Sequence, residues 1–305
     1  MSAGSYFQEL DMNINRMSGF TLGAGADLPK DVMLNYSRMK YGDPVATRML
    51  AQMLKDKLLS IGPLRDDLFQ DAGVVIASSA YGAIPTAAHA LTKELSLLLQ
   101  SEGVFIQPVK IHREQALGNE DYATLNHRQR GAVLATRKLS ISKSNLASMR
   151  GRMLLVVDDL IATGSHEKAT IELVSDTSEL AKIQFVYIFE FSEQLRDSNP
   201  MAESHINSHY VKNIDDYFEL VNEVKTTPYI NARVVKFLLG EGISSPEMFK
   251  AILRKLPLEF CERFHSAAVS SDMHQIGTDF LPAIEMLKES LLGRHVAQRL
   301  EVLNP

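Results

Sequence analysis

The sequence predicts an α/β fold, a Rossmann-like parallel sheet followed by a mainly helical C-terminal region. Three observations carry that expectation. Short, continuously apolar runs alternate with amphipathic stretches between residues 73 and 189. Two of these runs end in small-residue turns that open helices. Beyond about residue 200 the strand signal fades while helical spacing persists. Strands separated by helices pair in parallel, because a parallel connection must cross over the sheet.

Taken in order, Asp43 and Pro44 read as a helix start, Asp as the cap and Pro in the first turn. Met49, Leu50, Met53, Leu54 and Leu58 then recur at helical spacing up to Gly62 and Pro63. Tyr36 to Asp43 reads as a turn into that helix, with Arg38 and Lys40 on the surface. Gly73 to Ala77 is apolar throughout, as a strand covered on both faces requires. Ser78 to Pro85 is a loop, and Pro85 opens a helix striped with Ala88, Leu91, Leu95 and Leu98. Val104 to Lys110 reads as the next strand, placed near an edge by Pro108. Met153 to Val157 and Ile183 to Phe189 are two more buried strands, the first followed by a helix through Ala169, Ile171 and Val174. Ser244 and Glu247 have capping-box spacing ahead of Met248, Ile252 and Leu256. Leu281, Ile284, Leu287 and Leu291 mark a last helical face. The expected organisation is an α/β domain over residues 1–200 and a helical region over 201–305, which packs on the sheet or forms a partner surface.

Composition narrows the function. A net charge of −5 argues against general nucleic-acid affinity, which needs a basic surface. The single cysteine, Cys261, has no intrachain disulfide partner and sits among apolar residues, as a core position does. The first residues lack a charged stretch followed by an apolar run, and no apolar run reaches the roughly 18 residues of a membrane span. A cytoplasmic protein is expected. His205 and His209 are spaced for one helix face but have no evident third ligand, so they read as surface histidines.

The chemistry concentrates in Leu154 to Ser165. A strand delivers Asp158 and Asp159 to the sheet tip, then Ala162, Thr163, Gly164 and Ser165 turn into a helix. Small residues let amides approach a phosphate, and a helix start offers unpaired N–H groups. Thr163 and Ser165 add hydroxyl donors. Adjacent carboxylates accept hydrogen bonds from a vicinal diol and help hold a hard cation. Phospho-receiver domains also pair acids after a strand, but there the acids follow the first strand and no Thr-Gly turn opens the next helix.

This segment resembles the phosphoribosyl pyrophosphate signature of type I phosphoribosyltransferases, and the likeness extends over residues 35–195. It implies that Asp158 and Asp159 are the catalytic acids, hold the ribose hydroxyls and contribute to a Mg2+ site. It also implies that Ala162, Thr163, Gly164, Ser165 and His166 bind the 5-phosphate. Ser165 stands where a second glycine is usual, and His166 where a threonine is usual. The resemblance assigns pyrophosphate to Ser79, Ala80, Tyr81 and Gly82, with Lys110 and Arg113 as its basic residues. It makes residues 114–150 a mobile hood, basic through Arg128, Arg130, Arg137, Lys138 and Lys143. A narrower likeness to bacterial phosphoribosyltransferase-like proteins of stress and tellurite-resistance operons rests on Tyr36 to Asp43, Thr163 to Glu167 and Ala232 to Phe237. The implied function is Mg2+-dependent phosphoribosyl transfer to a nitrogenous acceptor with release of pyrophosphate, in a homodimer with small-molecule substrates. The alternative is a sensor or regulator that binds the same ligand without turnover. Ala162 stands where some purine-salvage relatives carry an acid that acts on the base, so a general base must come from elsewhere.

Overall fold

A computed structural model describes residues 13–23, 29–114, 139–175, 179–199, 201–224, 226–270 and 280–303. Among these residues five parallel strands form the main sheet, in the order β1-β7-β6-β2-β3. They are β1 (Ile14–Leu22), β2 (Val74–Ser78), β3 (Ile106–Pro108), β6 (Met153–Ile161) and β7 (Lys182–Phe191). A two-stranded antiparallel ribbon, β4 (His112–Arg113) and β5 (Leu139–Ser140), stands beside it.

The helices of the first half are α1 (Lys30–Lys40), α2 (Pro44–Ser60), α3 (Gly62–Leu68) and α4 (Ala87–Ser101). Then come α5 (Lys143–Met149), α6 (Ser165–Ser175), α7 (Glu193–Ser198) and α8 (Ala202–Asn207). The period-two alternation of the strands divides the core. Val74, Ile76, Leu155 and Val157 face Leu50, Leu54, Leu91 and Leu95 of α2 and α4. Val75, Ala77, Leu154 and Val156 face Met149, Ile171 and Val174 of α5 and α6. Both faces of β2 and β6 are therefore covered, which is why those strands are apolar without interruption.

A second core belongs to α9 (Ile214–Glu223), α10 (Ala232–Ser244), α11 (Pro246–Lys255), α12 (Leu258–Ala268) and α13 (Leu281–Leu303). Tyr41 and Ile84 reach into it from the sheet side, and Cys261 is buried within it. The two cores meet at the end of α1. Tyr229 N donates to Gly42 O at 2.8 Å, Asn231 Nδ2 to Lys40 O at 3.2 Å and Ala232 N to Pro85 O at 3.0 Å. Gly42 has φ +89°, and a Cβ there would overlap the Tyr229 carbonyl oxygen. Gly42→Ala is expected to cost at least about 2 kcal/mol, combining left-handed strain with overpacking. Urea denaturation measures it, and an unchanged midpoint would contradict the docking role.

The fold class matches the sequence expectation, and several details differ. Asp43 caps α2 as expected, accepting from the Val45 and Ala46 amides. Met49 is 54% exposed, outside the buried stripe of Leu50, Leu54 and Leu58. Tyr36 to Lys40 is the last turn of a helix rather than a turn into one. Helix α4 starts at Ala87, after Thr86, and not at Pro85. Ser244 ends α10, its hydroxyl bonded back to Gly240 O at 3.1 Å, and Ser245 precedes α11 without a side-chain cap, so the expected capping box does not form. Met248 and Leu281 are exposed, while Ala283, Leu287 and Leu291 form the buried face of α13. Of the basic hood residues, Arg128, Arg130, Arg137 and Lys138 lie outside the described residues. Lys143 opens α5, a helix in a stretch where the sequence shows no periodicity.

Candidate functional site

A cleft of about 300 Å³ opens at the carboxyl ends of β2 and β6. These strands are neighbours, while their following helices pack on opposite sheet faces. Ligands of open α/β sheets sit at such a reversal. The register pairs Ser78 with Val157, so Ser79 comes beside Asp158. Strand β6 runs on through both acids to Ile161, holding them in extended backbone instead of releasing them into a loop.

The acids differ in their surroundings. Asp158 accepts from the Asp159 amide at 2.9 Å and from the Ser79 hydroxyl. Burial, reinforced by the charge of Asp159, pushes its carboxyl up to about 7. Asp159 is paired with the Lys40 ammonium, which comes from the last residue of α1 and also lies 5.6 Å from the Tyr36 ring centre. The pair is mostly buried, the side chains 13% and 12% exposed.

The turn after β6 is built from Ala162, Thr163 and Gly164, and α6 starts at Ser165. Gly164 has φ +71°, a conformation that favours glycine. Thr163 Oγ1 lies 2.8 Å from Ser165 Oγ, and the Ser165 amide donates to Thr163 Oγ1 at 3.3 Å. Arg196 of α7 fixes the turn from outside by donating to Ala162 O at 3.1 Å. Glu167, in the first turn of α6, is 3% exposed and accepts from Arg16 of β1, from Nη2 at 2.7 Å and from Nε at 3.1 and 3.4 Å. Burial raises the Glu167 carboxyl while the Arg16 charge offsets part of that shift. The edge strand thereby anchors the helix that carries the turn.

The cleft brings together Ser79, Arg113, Asp158, Asp159 and the whole stretch from Ala162 to His166. Arg113 Nη2 lies 2.8 Å from His166 Nε2, joining the ribbon to α6. Ala80, Tyr81, Gly82 and Lys110 do not line it. The Lys110 ammonium donates to Gly82 O at 2.6 Å and lies 4.3 Å from the Tyr81 ring centre, so it braces the loop. The cleft also takes in Lys40, Thr86, Glu167, Glu203 and Lys236, none of them assigned to the site from the sequence, although Lys40, Glu167 and Lys236 fall within the segments that carry the narrower likeness. Glu167 directly follows His166 in the signature turn, whereas Lys40, Thr86, Glu203 and Lys236 arrive from α1, the residue before α4, α8 and α10.

Among the described residues no three His, Cys, Asp or Glu side chains converge on a metal site. His205 and His209 are both exposed. Two adjacent carboxylates remain, a donor set that suits Mg2+ when substrate phosphates complete the shell. Among the described residues no helix is long and apolar enough to cross a membrane.

The raised Asp158 sets a pH dependence. Its folded-state value lies above that of an unfolded aspartate, about 3.9, so the folded protein binds more protons between those limits. Stability conferred by a group of this kind falls as pH rises from about 4 to about 7. Asp158→Asn is expected to flatten that slope in thermal melts of chelator-treated protein. Parallel pH profiles of variant and parent would contradict the assigned environment.

A family model described as PRTase ComF-like matches residues 26–287. No curated protein matches the chain. Among solved structures, L. donovani hypoxanthine-guanine phosphoribosyl transferase aligns at 12% identity and TM-score 0.33, over 48% of this chain and 70% of that one. A Staphylococcus aureus hypoxanthine phosphoribosyltransferase aligns at 14% and 0.29, over 53% and 64%. The AQ2163 protein from Aquifex aeolicus aligns at 11% and 0.33, over 56% and 87%.

Proposed function

We propose that this chain, which belongs to the PRTase ComF-like family, binds phosphoribosyl pyrophosphate in its cleft and transfers the phosphoribosyl group to a nitrogenous acceptor. One observation carries the reading: a carboxylate pair and a glycine-containing turn that opens a helix face the same cleft from one strand end. Asp158 and Asp159 accept hydrogen bonds from the ribose diol. The amides at the start of α6, with the Thr163 and Ser165 hydroxyls, receive the 5-phosphate. Ser79 holds Asp158, and Arg113 with His166 closes the side toward the ribbon. Asp158 and Asp159 would hold Mg2+, which when bound neutralises charge on the departing pyrophosphate.

In the transfer the bond from ribose C1 to the pyrophosphate oxygen breaks, and its electron pair leaves with pyrophosphate. The acceptor nitrogen forms the new bond to C1, and its proton passes to solvent. Fixed carboxylates and dipoles favour this step by facing the charge that develops at the ribose. The second reading, a ligand sensor without turnover, draws on Ala162, which leaves the phosphate turn without a carboxylate to act on a base. Pyrophosphate release, followed with phosphoribosyl pyrophosphate and Mg2+ across a panel of purines, pyrimidines and amines, separates the two. Release that depends on one acceptor class supports transfer. Tight ligand binding with no release from any acceptor supports the sensor.

A further inference from the structure

We infer that Lys236 and Thr86 hold the pyrophosphate end of the ligand, in an anion subsite that the C-terminal region completes. This rests on the donor reading above and adds a residue from outside the sheet domain. Thr86 occupies the cap position of the 15-residue helix α4, yet its hydroxyl does not cap. Thr86 Oγ1 is buried and has no hydrogen-bond partner among the described residues. Thr86 and Ala88 both line the cleft, so the start of α4 faces it with unpaired amides and a spare hydroxyl.

Lys236 reaches the same place from α10. The first residue of that helix, Ala232, donates its amide to Pro85 O at 3.0 Å, immediately before Thr86. Residues four apart share a helix face, and helical side chains lean toward the N-terminus. Lys236 therefore lies over the turn that touches Pro85, and it lines the cleft. Among the described residues it has no ion-pair partner. The other cations are engaged: Lys40 with Asp159, Arg113 with the His166 ring and Lys110 with Gly82 O.

The layout favours pyrophosphate over an acidic acceptor. The acid pair sits between two helix starts on opposite sheet faces, α6 on one side and α4 on the other. A ribose held at the acids directs its 5-phosphate to one start and its C1 pyrophosphate to the other. Lys236 and Thr86 stand at the second.

Calorimetric titration of the full-length protein with Mg2+ present, using inorganic pyrophosphate and ribose 5-phosphate separately, tests this. Lys236→Met is expected to weaken pyrophosphate about tenfold or more, as loss of a charged hydrogen bond does. Thr86→Val is expected to weaken it about threefold to tenfold, as loss of a neutral one does. Both variants should keep parental affinity for ribose 5-phosphate, which also shows that they are folded. Unchanged pyrophosphate affinity in Lys236→Met would overturn the inference, as would equal weakening of both ligands or an effect confined to the acceptor. A parent protein that binds ribose 5-phosphate but not pyrophosphate overturns the subsite alone. One that binds neither overturns the donor reading with it.

Discussion

Gly164→Val is expected to abolish ribose 5-phosphate binding while leaving the protein folded. The reason is conformational. A Cβ at this position would meet only Ile161 Cδ1, at 3.9 Å, so nearby space tolerates a side chain. The backbone does not, because φ is +71° and L residues lose about 1–2 kcal/mol there, β-branched residues being the least suited. Valine relieves that strain by moving the peptides on either side, and with them the start of α6, whose amides are proposed to receive the phosphate. The Thr163–Ser165 hydroxyl contact spans the same bond and moves with them. Gly164→Ala should fall between, with roughly tenfold weaker binding, the equivalent of about 1.4 kcal/mol. Calorimetry paired with thermal melts checks both. A folded Gly164→Val protein with parental affinity would place the anion site elsewhere.

Lys40→Met is expected to destabilise the protein by about 3–5 kcal/mol, the cost of breaking a buried ion pair from one side. Removing the ammonium leaves Asp159 next to Asp158 with no counter-charge from α1. The energetics are coupled, so the Lys40→Met, Asp159→Asn double variant should recover most of the loss. Guanidinium denaturation at neutral pH measures the cycle. A loss below about 1 kcal/mol, the range of exposed pairs, would mean that the contact is not held in solution.

These two residues also mark where the sequence was legible and where it was not. Gly164 lies in a short contiguous pattern of strand, acids, turn and helix, and every part of that pattern is local. The central strands were legible for a related reason: β2 and β6 are covered on both faces and so are apolar without a break. Strand β1 was not. Among the described residues it pairs with β7 alone, at the sheet edge, and Asn15, Arg16 and Thr21 are exposed, so no apolar run announces it. From the sequence Lys40 is a surface charge, because its partner lies 119 positions away. Glu203 and Lys236 enter the cleft through tertiary packing that spacing does not encode. Lys110 illustrates the converse: a basic residue at the end of the expected strand bonds a backbone carbonyl and does not line the cleft. The exposed Met49, Met248 and Leu281 show that helical spacing identifies a face only to within one residue at its margins.

The donor reading gives each part of the cleft one portion of a single ligand. Phosphoribosyl pyrophosphate titrated calorimetrically into the full-length protein with Mg2+ tests this most directly, beside Asp158→Asn and Asp159→Asn. Saturable binding to the parent is expected, with a loss of roughly tenfold or more in each variant from the removed charge-assisted bonds to the diol. Affinity that is absent in the parent, or undiminished in both folded variants, would contradict it.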